Sequence, residues 1–172
     1  IASVDIDPKS VHTLLQSLEK DERLSTFWAM TLDDSTPEIK ADSVVSKYQN
    51  QKFSRNPHIT MAHWKEKTQE QIRLAFEPIC DSRVSVTATA FLWNTQVAAI
   101  AVTVADETED GKAVLRPDNV FSHVTIWCEN GASPFQSNSL PGHVETGEAH
   151  RIELQDPVIF DGTVSFWPLG KH

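Results

Sequence analysis

Two short stretches, N-P-H-I-T-M-A-H-W from Asn56 to Trp64 and S-H-V-T-I-W-C from Ser122 to Cys128, each set a histidine two residues before a threonine inside an apolar run. Val or Ile would pack such strands better, so the polar residues ask for a chemical reason. Successive side chains on a strand point to opposite faces. His58 and Thr60 therefore share one face with Ile59 and Met61 on the other, and His123 and Thr125 stand in the same way against Val124, Ile126 and Cys128. Two imidazoles and two hydroxyls suit the opening of a cyclic phosphodiester by water. One imidazole, neutral, takes a proton from the attacking water, while the other, protonated, gives one to the departing sugar oxygen. The hydroxyls, with nearby backbone N–H groups, hold the nonbridging oxygens as these gather charge. A strained cyclic phosphate met by a good proton donor does not require a metal ion, so no cofactor is expected.

The elements that must position these strands can be read from periodicity. Asp7-Pro8 followed by Val11, Leu14, Leu15 and Leu18 predicts a helix from about Pro8 to Lys20. The run Thr26 to Leu32 is rich in β-formers and reads as a strand ending at Asp33-Asp34-Ser35, and Pro37 to Gln51 reads as a further helix. Pro57 fixes an extended entry to a strand over His58 to Trp64, and Thr68 to Ile79 has the spacing of a helix packed on that strand. Val84 to Trp93 and Gln96 to Ala105 form a hairpin about Asn94-Thr95. The acidic segment Asp106 to Gly111 is a solvated loop, and Asn119 to Glu129 is a strand. Gly131 to Gly147 reads as a long loop, while Arg151 to Gln155 and Val158 to Trp167 read as two closing strands with Asp161-Gly162 as a turn. Early helices alternating with strands, followed by mostly antiparallel strands, make the class α+β.

The pair His58-Ile59-Thr60 and His123-Val124-Thr125 resembles the twin H-x-T/S signatures of the 2H phosphoesterase superfamily. The contexts P-H-I-T-M-A-H and S-H-V-T-I-W are most similar to the C-terminal cyclic phosphodiesterase domain of fungal tRNA ligases. The resemblance implies a two-lobed α+β fold, mainly antiparallel sheets with helices outside, and a central cleft to which each lobe brings one motif. It implies His58 and His123 as acid and base, and Thr60 and Thr125 as phosphate-binding residues. It further implies conversion of an RNA 2′,3′-cyclic phosphate to a 2′-phosphate with a free 3′-hydroxyl on a tRNA exon, with His123 activating water and His58 protonating the leaving oxygen. Sister ligase and polynucleotide kinase domains are implied as partners; neither a G-x-x-x-x-G-K-[ST] phosphate loop nor a ligase-type lysine motif occurs in this chain. Two rival readings are an enzyme of the same superfamily acting on small cyclic nucleotides and a noncatalytic RNA-binding module.

Other residues carry weaker signals. Trp127 shares strand parity with His123 and Thr125, which fits either a base-stacking surface in the cleft or a core position; Trp64 and Tyr48 have the same two readings. His63 has the opposite parity to His58 and reads as structural unless a bulge re-aims it, which also disfavours a zinc site built on both. Lys47, Lys52 and Arg55 precede the first motif and fit either a solvated surface or contacts to RNA phosphates, and His12 reads as a surface residue. At 172 residues, 40% hydrophobic and 23% charged, the chain has the composition of one well-cored globular domain. A formal net charge of −9 argues against coating duplex nucleic acid, but not against gripping one nucleotide end. No apolar run approaches the ~20 residues of a membrane span, so no membrane partner is expected. Cys80 and Cys128, far apart and without CxxC spacing, read as reduced thiols of an intracellular protein, nuclear or cytoplasmic. The Ile-Ala-Ser start reads as that of a piece of something longer.

Overall fold

The computed structural model describes residues 1–31 and 52–166. The helix expected over Pro37 to Gln51, with Lys47 and Tyr48, lies outside them. Six strands form one sheet in the order β2-β1-β6-β3-β4-β5, in which every neighbouring pair is antiparallel. They are β1 (Ala2–Ile6), β2 (His58–Ala62), β3 (Arg83–Trp93), β4 (Val97–Val104), β5 (His123–Cys128) and β6 (His150–Phe166). The two motif strands, β2 and β5, are thus the two ends of the sheet.

Curling brings those ends together. The backbone leading into β2 pairs with β5: Ser54 N–H donates to the Ile126 carbonyl at 2.9 Å and Cys128 N–H to the Lys52 carbonyl at 2.8 Å. Phe53 and Trp127 stand opposite one another in this bridge. Part of the outer edge of β5 is thereby paired within the chain, and the sheet is nearly a barrel. The α+β class, the antiparallel sheet and a cleft supplied with one motif from each half are as the resemblance implied.

Helix α1 (Pro8–Leu18) starts where Asp7 accepts the Lys9 N–H and Pro8 occupies the first turn, and it buries Val11, Leu14, Leu15 and Leu18. His12, expected at the surface, is 7% exposed on the same buried side, where desolvation pushes its pKa down. The strand expected over Thr26 to Leu32 is instead helix α2 (Ser25–Thr31). Leu24, Phe27, Trp28 and Thr31 are buried, and this three-and-four spacing overrides the β preference of the individual residues. Helix α3 (Gln69–Phe76) opens on a reciprocal cap between Thr68 and Gln71 and buries Ile72 and Phe76; it packs chiefly on β6, not on the β2 strand that precedes it.

The two closing strands are one. β6 runs unbroken from His150 to Phe166, and the expected break survives only as an irregularity opposite Ala88 to Ala90, where the partner jumps from Val158 to Glu153 and Pro157 needs no ladder bond. Gly162 is no turn: it pairs with Ile6 on one side and Val84 on the other. A Cβ there would lie 2.4 Å from Val4 Cγ1, so only a glycine lets β6 and β1 lie this close without a shift. Strand β1, which the sequence reading passed over, fills the centre of its half with buried Ala2, Val4 and Ile6.

Strand β4 over Val97 to Val102 and the end of β3 from Ala90 to Trp93 are buried on both faces, which explains their continuous apolar runs. Phe91, Trp93, Ala98 and Ile100 join the main core with α1 and α2. Ala90, Leu92, Val97 and Ala99 face a smaller core with Leu140 of α4 (Leu140–Glu145). The long loop expected over Gly131 to Gly147 therefore holds α4 and, before it, a 3₁₀ turn over Pro134–Ser139.

Candidate active site

Both motif strands alternate as their sequences require. Ile59 and Met61 on β2, and Val124 and Ile126 on β5, are essentially fully buried, while His58, Thr60, His123 and Thr125 face the space between the two sheet ends. That space is a cleft of about 470 Å³ lined by all four of them, so the structure brings the four residues together from opposite ends of the sheet.

The two histidines are held alike. His58 Nδ1 lies 2.9 Å from the Asn56 carbonyl, and His123 Nδ1 lies 2.7 Å from the Phe121 carbonyl. A carbonyl oxygen only accepts, so each Nδ1 carries the proton and each Nε2 is left to take up or release one. In both cases the carbonyl belongs to the residue two positions before the histidine, and Pro57, between Asn56 and His58, fixes the backbone φ there.

Electrostatically the pair is not symmetric. His58 is exposed, whereas His123 is partly buried with its ring stacked on Phe121 at 4.8 Å and 14°. Desolvation pushes the His123 pKa below the ordinary 6.5, the Phe121 carbonyl opposes this, and charge on nearby His58 adds to the lowering. Thr125 Oγ1 lies 2.9 Å from the hydroxyl of Ser137, a fully buried residue of the 3₁₀ turn.

Beyond the threonines, strand parity fails on both sides in the same way. The register shifts between Ala2 and Ser3 opposite Ala62 and Thr60, leaving Met61 as an extra residue, and between Ala98 and Ala99 opposite Trp127 and Thr125, leaving Ile126 extra. Each bulge reverses the alternation beyond it. His63, expected off the site, therefore lines the cleft, and so does Cys128. Trp127 turns the other way. It is 0% exposed, packs edge-on against Phe27 at 5.9 Å and 86°, and borders the cleft only from the core side, so its ring is not presented for base stacking. His63 Nδ1 accepts the Lys65 N–H at 3.2 Å, and Trp64, 48% exposed, lies beside that imidazole. Although His58, His63, His123 and Cys128 all border the cleft, no three His, Cys, Asp or Glu side chains among the described residues converge as a metal site.

Lys52 lines the cleft but is paired with Glu129 at 2.8 Å. Sequence reasoning missed Phe121, Ser137, Phe135 and Asn138, the last two of which line the cleft from the 3₁₀ turn. A signal existed for that turn: Ser133-Pro134-x-Gln136 is a capping box with proline in the first turn, and both reciprocal cap bonds are made.

The chain matches the family model of the fungal tRNA ligase phosphodiesterase domain over residues 2–167. It is 24% identical over 166 residues to tRNA ligase 1 of Arabidopsis thaliana, an alignment that takes in 96% of this chain and 13% of the plant protein. In fold it is similar to a fungal RNA kinase crystal structure, with a TM-score of 0.64, 13% identity and coverage of 95% of this chain and 44% of that one.

Proposed function

Because the chain belongs to the fungal tRNA ligase phosphodiesterase domain family, we propose that it opens the 2′,3′-cyclic phosphate at an RNA end, leaving a 2′-phosphate and a free 3′-hydroxyl. The observation that carries this reading is the matched pair of imidazoles across one cleft, each with Nδ1 fixed on a backbone carbonyl and Nε2 left for proton transfer. In the reaction His123 Nε2 takes a proton from water as the water oxygen bonds to phosphorus. The bond from phosphorus to the 3′ oxygen breaks on the far side, and protonated His58 delivers its proton to that oxygen. The desolvated His123 suits the base, since it stays neutral to lower pH than an exposed imidazole. Thr60 and Thr125 hydroxyls donate to the nonbridging oxygens. Trp127 serves by packing the floor beneath them. The substrate is the end of a tRNA exon, and ligase and polynucleotide kinase domains elsewhere in the parent protein complete the joining; the chain spans 13% of the plant ligase it matches.

The test is incubation of the purified chain, in EDTA, with a short RNA ending in a 2′,3′-cyclic phosphate, resolving the 2′- from the 3′-monophosphate. A 2′-phosphate formed in EDTA is the expected result; no turnover by a folded chain refutes the reading.

The same assignment fixes the sign of a pH effect. A base must be neutral, and the His123 pKa lies below 6.5, so the acid limb of kcat/KM falls through a value under 6.5, while loss of the His58 proton supplies the alkaline limb. An acid limb centred at or above 6.5 would remove His123 from the role of base.

A further inference from the structure

Phe135 is an aromatic residue left 77% exposed at the lining of the cleft. Large apolar rings are ordinarily covered, and this one stands on a turn built to keep it in place. Ser133 caps the turn by accepting the Phe135 N–H at 3.3 Å, Pro134 stiffens its first residue, and Asn138 Nδ2 donates to the Phe135 carbonyl at 2.9 Å. The far end of the same turn is anchored in the site, where the Ser137 hydroxyl meets Thr125 at 2.9 Å. One rigid turn thus connects a phosphate-facing hydroxyl to an open ring.

We propose that Phe135 is the nucleobase subsite of the cleft, its ring stacking on the base next to the cyclic phosphate. This rests on the reading that an RNA end occupies the cleft. The charge pattern favours a base as the occupant. The lysines among the described lining residues are Lys52, paired with Glu129, and exposed Lys65, in a chain of net charge −9. Lysine contacts to phosphate are therefore few among the described residues, and a ring that any base can cover adds a hold on the terminal nucleotide. Of the aromatic residues the sequence offered for this purpose, Trp127 is sealed in the core, Trp64 is exposed but does not line the cleft, and Tyr48 lies outside the described residues.

The test is the affinity of a short RNA ending in a 2′-phosphate, with and without its terminal base, for the chain and for Phe135→Ala and Phe135→Trp. Stacking predicts that Phe135→Ala binds the base-bearing RNA about tenfold or more weakly, binds the abasic RNA as before, and that Phe135→Trp restores affinity. Unchanged affinity, or equal loss on both probes, overturns the subsite. The exposed position leaves folding intact. Because binding is read on a product end, the result stands apart from turnover: a chain that hydrolyses no cyclic phosphate refutes the phosphodiesterase reading, while base-dependent binding still judges Phe135.

Discussion

His123→Ala is expected to lower kcat on an RNA 2′,3′-cyclic phosphate by about 10²- to 10⁴-fold, and His58→Ala by a similar factor. Each substitution removes one of the two proton transfers. The Phe121 and Asn56 carbonyls that fix the rings belong to the backbone and remain, so alanine leaves the cleft shaped but without its acid or its base. His58 is exposed and His123 half-buried, and neither contributes to the main core, so the thermal midpoint should hardly move. The two groups act as a unit, so the double variant should be little slower than either single one. Single-turnover kinetics with a melting curve for each variant check this. A variant that keeps near-normal turnover removes its histidine from the mechanism, and losses that multiply in the double variant show the two acting independently.

The second large effect is on stability. Trp127→Ala should cost about 3–5 kcal/mol, the range for emptying an aromatic site in a packed core. At roughly 2–4 °C per kcal/mol for a chain of this size, the midpoint should fall by roughly 6–20 °C. The indole is fully buried, meets Phe27 edge-on, and joins the Phe91 and Trp93 cluster that Phe27 links, so little of the space can be refilled. Its Nε1 finds no hydrogen-bond partner among the described residues. Trp127→Phe, which drops that buried donor and keeps most of the volume, should accordingly be far milder. Urea unfolding reads both. Were Trp127 a substrate platform, alanine would instead raise KM and leave the unfolding midpoint in place.

Much of the site was legible because strand alternation is a strict rule over short distances. His58-x-Thr60 and His123-x-Thr125 needed only that rule, and all four residues face the cleft. The rule misplaced His63 and Trp127 because the alternation breaks just past each threonine. Met61-Ala62 and Ile126-Trp127 are adjacent pairs of buried residues where a regular strand would alternate, and that doubled apolar step was the mark of a bulge. Helix α2 was misread because Phe, Trp and Thr favour strands one at a time, whereas their spacing with Leu24 is helical. The ring of Phe135 and the hydroxyl of Ser137 reach the site through tertiary packing of a turn whose cap, but not its destination, is written locally. Which strand lies beside which was also beyond a linear reading, since β6 pairs with both β1 and β3.

The two motif strands meet across the cleft, yet by way of hydrogen bonds they stand at opposite ends of the sheet, with β1, β6, β3 and β4 between them. The jaw opening between the imidazoles is consequently a sum of small twists, and the Lys52–Ser54 bridge to β5 is the clasp that holds the sum fixed. Precision in such a caliper belongs to the whole arc. A packing change at Gly162 beside Val4, remote from any reacting atom, enters the span between acid and base as directly as a change in either jaw.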